Sequence, residues 1–140
     1  MGNTHTIKKI NFEDMQIAIK SPEVYLIINT LPTTEQSCLI HNTINISQEE
    51  SIINKYIKEN IAIQLVIYGK HCNDETTHKK YQQLVTIGFT NVCIYTGGMF
   101  EWLLLQNIFD ENLFPTSKKE FDILAYKPPS TFMIPLLHNS

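Results

Sequence analysis

The chain has no arginine: all eleven of its basic residues are lysines. Any anion it holds must therefore be met by ammonium groups, backbone N–H groups or a helix N-terminus, never by a bidentate guanidinium. There is no basic excess either. A formal net charge of -3 denies it the electrostatic footprint of a nucleic-acid binder. No apolar run reaches the about 20 residues of a membrane span. Cysteine is scarce and scattered. Cys38, Cys72 and Cys93 contain no CxxC pair, and an odd, dispersed set argues against a disulfide framework and for a reducing, cytoplasmic setting. The N-terminus is too polar for a signal peptide.

What is present suits one soluble domain: 140 residues can bury a substantial core but not two ordinary ones. The opening Met1-Gly2-Asn3-Thr4-His5-Thr6 matches the acylation pattern, which makes Gly2 a candidate myristoylation site. One such chain holds a membrane only marginally, and Lys8 and Lys9 add little, so membrane association is expected only if Gly2 is acylated.

Strand and helix signals alternate along the chain. Phe12, Met15 and Ile19 share one helical face that ends before Pro22. Val24–Asn29 is a near-continuous apolar run, as expected of a strand covered on both faces. A second strand is expected to end near Ile46. Ser47 with Glu50 forms a capping-box pattern for a helix burying Ile52, Ile53, Tyr56 and Ile57. Ile61–Tyr68 reads as the central strand, and a helix from about Asp74 to Ile87 turns Tyr81, Leu84 and Val85 inward. Gly88 is placed to end it. Val92–Tyr95 is a short strand with Cys93 as a core thiol. Gly97-Gly98 makes a tight turn, and Trp102 anchors the apolar helix that follows. Thr116 can cap a last helix through Leu124.

This alternation implies right-handed crossovers and a parallel sheet. The expectation is an α/β domain over residues 12–126, with a mainly parallel sheet of about five strands flanked by helices on both faces. An arm (1–11) precedes it. A tail (127–140) follows, and its Phe132, Met133, Ile134, Leu136 and Leu137 are apolar enough to fold back or to dock a partner.

The run Gly88-Phe89-Thr90-Asn91-Val92, then Val92 to Tyr95, Gly97-Gly98 and Trp102, resembles the C-terminal half of a rhodanese domain. The resemblance spans roughly Phe12 to Leu105. The divergent rhodanese-like proteins of large DNA viruses are the nearest subgroup it suggests, in keeping with the arginine-free composition. It implies a nucleophilic cysteine in the loop after the central strand, with the persulfide held by loop N–H groups and the helix dipole.

That loop is Gly69-Lys70-His71-Cys72-Asn73-Asp74-Glu75-Thr76-Thr77-His78. Counted back from Leu84 and Gly88-Phe89, Cys72 takes the nucleophile's place. Counted forward from Tyr68, Gly69 takes it. Helix spacing is less elastic than a loop, which favours Cys72. Lys70 and His71 are then its candidate activators, and Thr77 stands where the family usually has its arginine. His78 occupies the arginine position of the Cys-x5-Arg loop in phosphatases of related fold. A partly charged histidine is a poor clamp for three oxygens, so no useful phosphatase turnover is expected. Asp74 and Glu75 suit a helix start but repel anions. Upstream, Asn29-Thr30-Leu31 replaces the family's Asp-x-Arg, and His41 reads as a turn position.

The resemblance thus leads to two functions. The first is a non-catalytic binding or scaffolding module, a pseudoenzyme with an unknown protein partner. The alternative is a thiosulfate-type sulfurtransferase that takes a small sulfur-containing anion and forms a persulfide on Cys72. Neither calls for a cofactor. His71, Cys72, Asp74 and His78 lie in one loop without a second ligand pair, so no metal is expected.

Overall fold

The computed structural model describes residues 6–132. Gly2 and the tail beyond Phe132 lie outside them. Four strands and four helices form the frame: β1 (Lys9–Ile10), α1 (Phe12–Ala18), β2 (Tyr25–Asn29), α2 (Glu49–Glu59), β3 (Gln64–Tyr68), α3 (Thr76–Ile87), β4 (Val92–Tyr95) and α4 (Gly98–Ile108). The sheet is parallel throughout, in the order β1-β4-β3-β2.

Strand alternation divides the core in two. Ile27, Val66, Tyr68, Cys93 and Tyr95 face α1, α4 and the segment around Phe114 and Tyr126. Leu26, Ile28, Leu65, Ile67, Val92 and Ile94 face α2 and α3 through Ile53, Tyr81 and Leu84. Because both faces are covered, β2 to β4 lack the polar alternation of half-exposed strands. Trp102, fully buried, is the anchor of the first core. It packs edge-on against Tyr95 and Phe114 and donates its indole N–H to the Pro115 carbonyl.

Among the described residues the sheet has four strands, not about five. The expected strand ending near Ile46 does not form a ladder. Asn42 adopts a left-handed φ of 66°, and the segment makes only two isolated bridges, Ile27 with Thr43 and Ile40 with Thr116. This segment instead lies along the edge of β2, with the Ile44 N–H bonded to the Ile27 carbonyl. In its place β1 adds a strand from the stretch expected to be an arm.

Two capping expectations also differ. Ser47 does not cap α2: its hydroxyl bonds the Asn45 side chain, and the helix starts two residues later. No helix follows Thr116, whose hydroxyl turns to the Lys118 carbonyl; a single 3-10 turn at Ile123–Tyr126 stands there. The capping box is on α1, where Asn11 and Asp14 bond each other's backbone N–H groups. Gly88 ends α3 as expected, with φ 126° and its N–H on the Leu84 and Val85 carbonyls.

Candidate functional site

The carboxyl end of a parallel sheet is where loops and helix N-termini converge. Here that place is the loop from Gly69 to Glu75, joining β3 to α3. It is pinned from below by α4: the N–H groups of Met99 and Phe100 donate to the Gly69 and Lys70 carbonyls at 3.0 and 2.9 Å. The approach is so close that a Cβ on Gly98 would lie 2.8 Å from the Gly69 carbonyl oxygen, and its φ of 66° also favours glycine. The Gly97-Gly98 turn therefore lets a helix N-terminus support the loop from underneath.

Inside the loop sits a carboxylate. Asp74 accepts the Lys70 N–H at 2.8 Å through one oxygen. Its other oxygen accepts the Thr76 N–H at 3.1 Å and the Thr76 hydroxyl at 2.6 Å. Partial burial raises the Asp74 pKa, but the Thr76 hydroxyl, the Lys70 and Thr76 N–H groups and nearby His71 outweigh it, so the carboxyl titrates below its ordinary value. The side-chain position of Gly69 points at the same spot. A Cβ there would meet the Asp74 carboxylate at 2.5 Å, with the Thr30 hydroxyl and the Thr77 methyl at 2.9 Å.

The residues anticipated from the sequence are scattered around this centre. Cys72 is exposed, while Cys38 and Cys93 are buried; all three are free thiols. Lys70 is held by Glu35, 3.1 Å away. The His71 ring accepts the Asn73 N–H at 3.1 Å through Nδ1. Thr77 is buried and bonds the Asp74 carbonyl, whereas His78 is exposed beside the Thr77 hydroxyl. His41 is exposed in a turn. No group of three or more His, Cys, Asp or Glu side chains gathers as metal ligands among the described residues. No described helix is long and apolar enough to cross a membrane.

Sequence reasoning missed the neutral pairs that support the loop's surroundings. Asn29, at the position of the family's acidic residue, is buried and exchanges amide hydrogen bonds with Gln36 at 2.8 and 3.1 Å. Tyr68 is fully buried, and its hydroxyl accepts the Ile40 N–H at 3.1 Å and meets Thr43 at 2.7 Å. Burial pushes this phenol well above its ordinary pKa. The Asn29–Gln36 spacing of seven residues crosses a 3-10 turn, which no periodicity would reveal.

A family model described as "Rhodanese-like domain" matches residues 13–105, well over half of the chain. No curated protein matches. Among solved structures, the Alr3790 protein from Anabaena sp. is similar at a TM-score of 0.57 and 15% identity, over 83% of this chain and 97% of that one. The single-domain sulfurtransferase RDL2 of Saccharomyces cerevisiae is similar at 0.51 and 17%, over 77% and 98%. A thiosulfate sulfurtransferase from Pseudomonas aeruginosa is similar at 0.55 and 15%, with 70% of this chain against only 19% of that one. At these identities the likeness concerns the fold, and none of the three lends support to a viral affiliation. Parallel sheet, doubly covered core and family match agree: the chain belongs to the rhodanese-like domain family.

Proposed function

We propose that this domain is a non-catalytic rhodanese-like module that serves binding or scaffolding. One observation carries the reading: the Asp74 carboxylate accepts the Lys70 and Thr76 N–H groups of the β3–α3 loop, the loop whose N–H groups the family resemblance implies would hold a sulfur anion. The loop already contains an anion, covalently tethered and held by two amides and a hydroxyl. A thiosulfate or persulfide entering there would meet like charge and have to displace those bonds. The strand-side count of the loop fits this reading. Gly69 follows β3 directly and a Cβ there would point at Asp74, which supports the strand-side count over the helix-side count that the sequence favours. The two candidate activators of Cys72 are engaged elsewhere, Lys70 with Glu35 and His71 with the Asn73 backbone. Three free thiols suit a reducing, cytoplasmic location.

The second reading, a sulfurtransferase, draws support from the exposure of Cys72 alone. Its thiolate would attack the outer sulfur of thiosulfate, break the S–S bond, release sulfite and retain a persulfide. Intact-mass measurement of the folded protein after thiosulfate, beside Cys72→Ser, separates the two. The module reading expects no adduct. A one-sulfur gain that disappears in Cys72→Ser would overturn it.

A further inference from the structure

The helices on the two faces of the sheet finish differently. α2 exposes Asn54, Lys55 and Lys58, and α3 exposes Lys79, Gln82 and Thr86, the polar outward sides expected of surface helices. α4 does not follow them. Its Met99, Trp102, Leu103 and Gln106 are buried, yet the opposite side is apolar as well, with Phe100, Leu104 and Ile108 stacked on it at four-residue spacing. Ile108 is 66% exposed, and Phe100 and Leu104 are half-buried. The single charged residue of α4, Glu101, accepts a hydrogen bond from the Tyr95 hydroxyl at 2.6 Å. The 3-10 turn at Ile123–Tyr126 packs against α4 and adds Leu124, 64% exposed. A helix that is apolar all round calls for cover on both sides.

The chain carries a segment that fits. Residues 133–140 contain Met133, Ile134, Leu136 and Leu137 and no Lys, Asp or Glu, so an uncharged apolar sequence meets an uncharged apolar helix side. The attachment point is close at hand. Tyr126 is buried in the same core as Met99, Trp102 and Leu103 of α4. The chain from Tyr126 to Met133 spans at most about 24 Å at about 3.4 Å per residue. α4 is about 16 Å long at 1.5 Å per residue, so its whole outward side lies within that reach. A short tether also keeps the segment at roughly millimolar effective concentration. A second copy or another protein would have to bind from dilute solution and lose its free translation and rotation.

We infer that the chain's own residues 133–137 dock on the outward side of α4, over Leu104 and Ile108, as an internal cover. A partner that uses this side of the domain must displace them. The inference is independent of whether Cys72 is catalytic. The test uses the full chain as Cys72→Ser/Ser140→Cys with a nitroxide on the new thiol, Cys38 and Cys93 being buried. The methyl resonances of Leu104 and Ile108 should lose at least half their intensity relative to the reduced label. Those of Ile57 and Ile87, on the helices of the other face, should keep theirs. Leu136→Asp/Leu137→Asp in the same labelled chain should restore the α4 signals, and Trp102 fluorescence checks that the fold is kept. Undiminished α4 signals, loss that survives the two aspartates, or loss centred on Ile57 and Ile87 would each overturn the proposal. So would loss that appears only when spin-labelled chain is mixed with isotope-labelled chain free of nitroxide, because the segment would then come from a second copy.

Discussion

Replacing Asp74 tests the central observation most directly. Its carboxylate takes three hydrogen bonds, from the Lys70 N–H, the Thr76 N–H and the Thr76 hydroxyl. A hydrogen bond to a charged group contributes about 1.5–3 kcal/mol, but neighbouring terms do not add. The loop is half-exposed, so water can satisfy part of what Asp74→Ala frees. The net expectation is a loss of about 2 kcal/mol for Asp74→Ala. Asp74→Asn should lose about 1 kcal/mol, because an amide keeps one acceptor but turns donors toward a donor. The pH dependence carries the same signature. The folded carboxyl titrates below the ordinary value of 3.8, so its contribution is complete above that value and is lost as the pH falls through it toward the lower folded pKa. Urea unfolding followed by the fluorescence of the single tryptophan, at about pH 7 and about pH 3, measures both effects. Wild type and Asp74→Ala should differ most near neutrality and converge in acid. A difference below about 0.5 kcal/mol at neutral pH, or one unchanged in acid, would refute the account of Asp74 as the loop's internal anion.

Three further outcomes are expected. Tyr68→Phe removes the hydroxyl that satisfies the buried Ile40 N–H and should cost about 1–3 kcal/mol in the same assay, with no change in cooperativity. Gly98→Ala combines a left-handed φ with a Cβ pressed against the Gly69 carbonyl, and should lose roughly 2 kcal/mol or more; an unchanged midpoint would contradict the close packing of α4 beneath the loop. Brief iodoacetamide treatment of the folded protein should modify Cys72 alone, since Cys38 and Cys93 are buried and burial raises both their thiol pKa values, that of Cys93 to about 11. Peptide mapping showing labelled Cys93 would mean that the sheet opens far more readily than its packing implies. Selective labelling would not by itself identify a catalytic thiol, because exposure alone produces it.

The succession α1, β2, α2, β3, α3, β4 and α4, the parallel sheet and the burial of Trp102 and Cys93 were determined by the sequence itself. Each follows from a local apolar period or a glycine punctuation that any compact arrangement of the chain must respect. The Gly88 helix end and the Gly97-Gly98 turn were legible for the same reason. The segment around Ile40 to Ile46 was not, because its apolar residues serve single bridges and an edge contact around the Asn42 turn rather than a ladder. Nor could spacing foresee that two residues, Lys9 and Ile10, would become an edge strand, since their partner lies across the fold in β4.

At the loop, the sequence supplied Cys72, Gly69 and the acids, and its helix-side count favoured Cys72 over Gly69 in the nucleophile's place. Only the tertiary structure decided where each side chain points: Asp74 inward against the Lys70 and Thr76 amides, Gly69 toward that carboxylate, and Cys72 out to solvent. The physical reason is that hydrogen-bond direction in a short loop is fixed by the elements on either side of it. Here those are the end of β3, the start of α3 and the N-terminus of α4 beneath, which are neighbours in space but not in sequence.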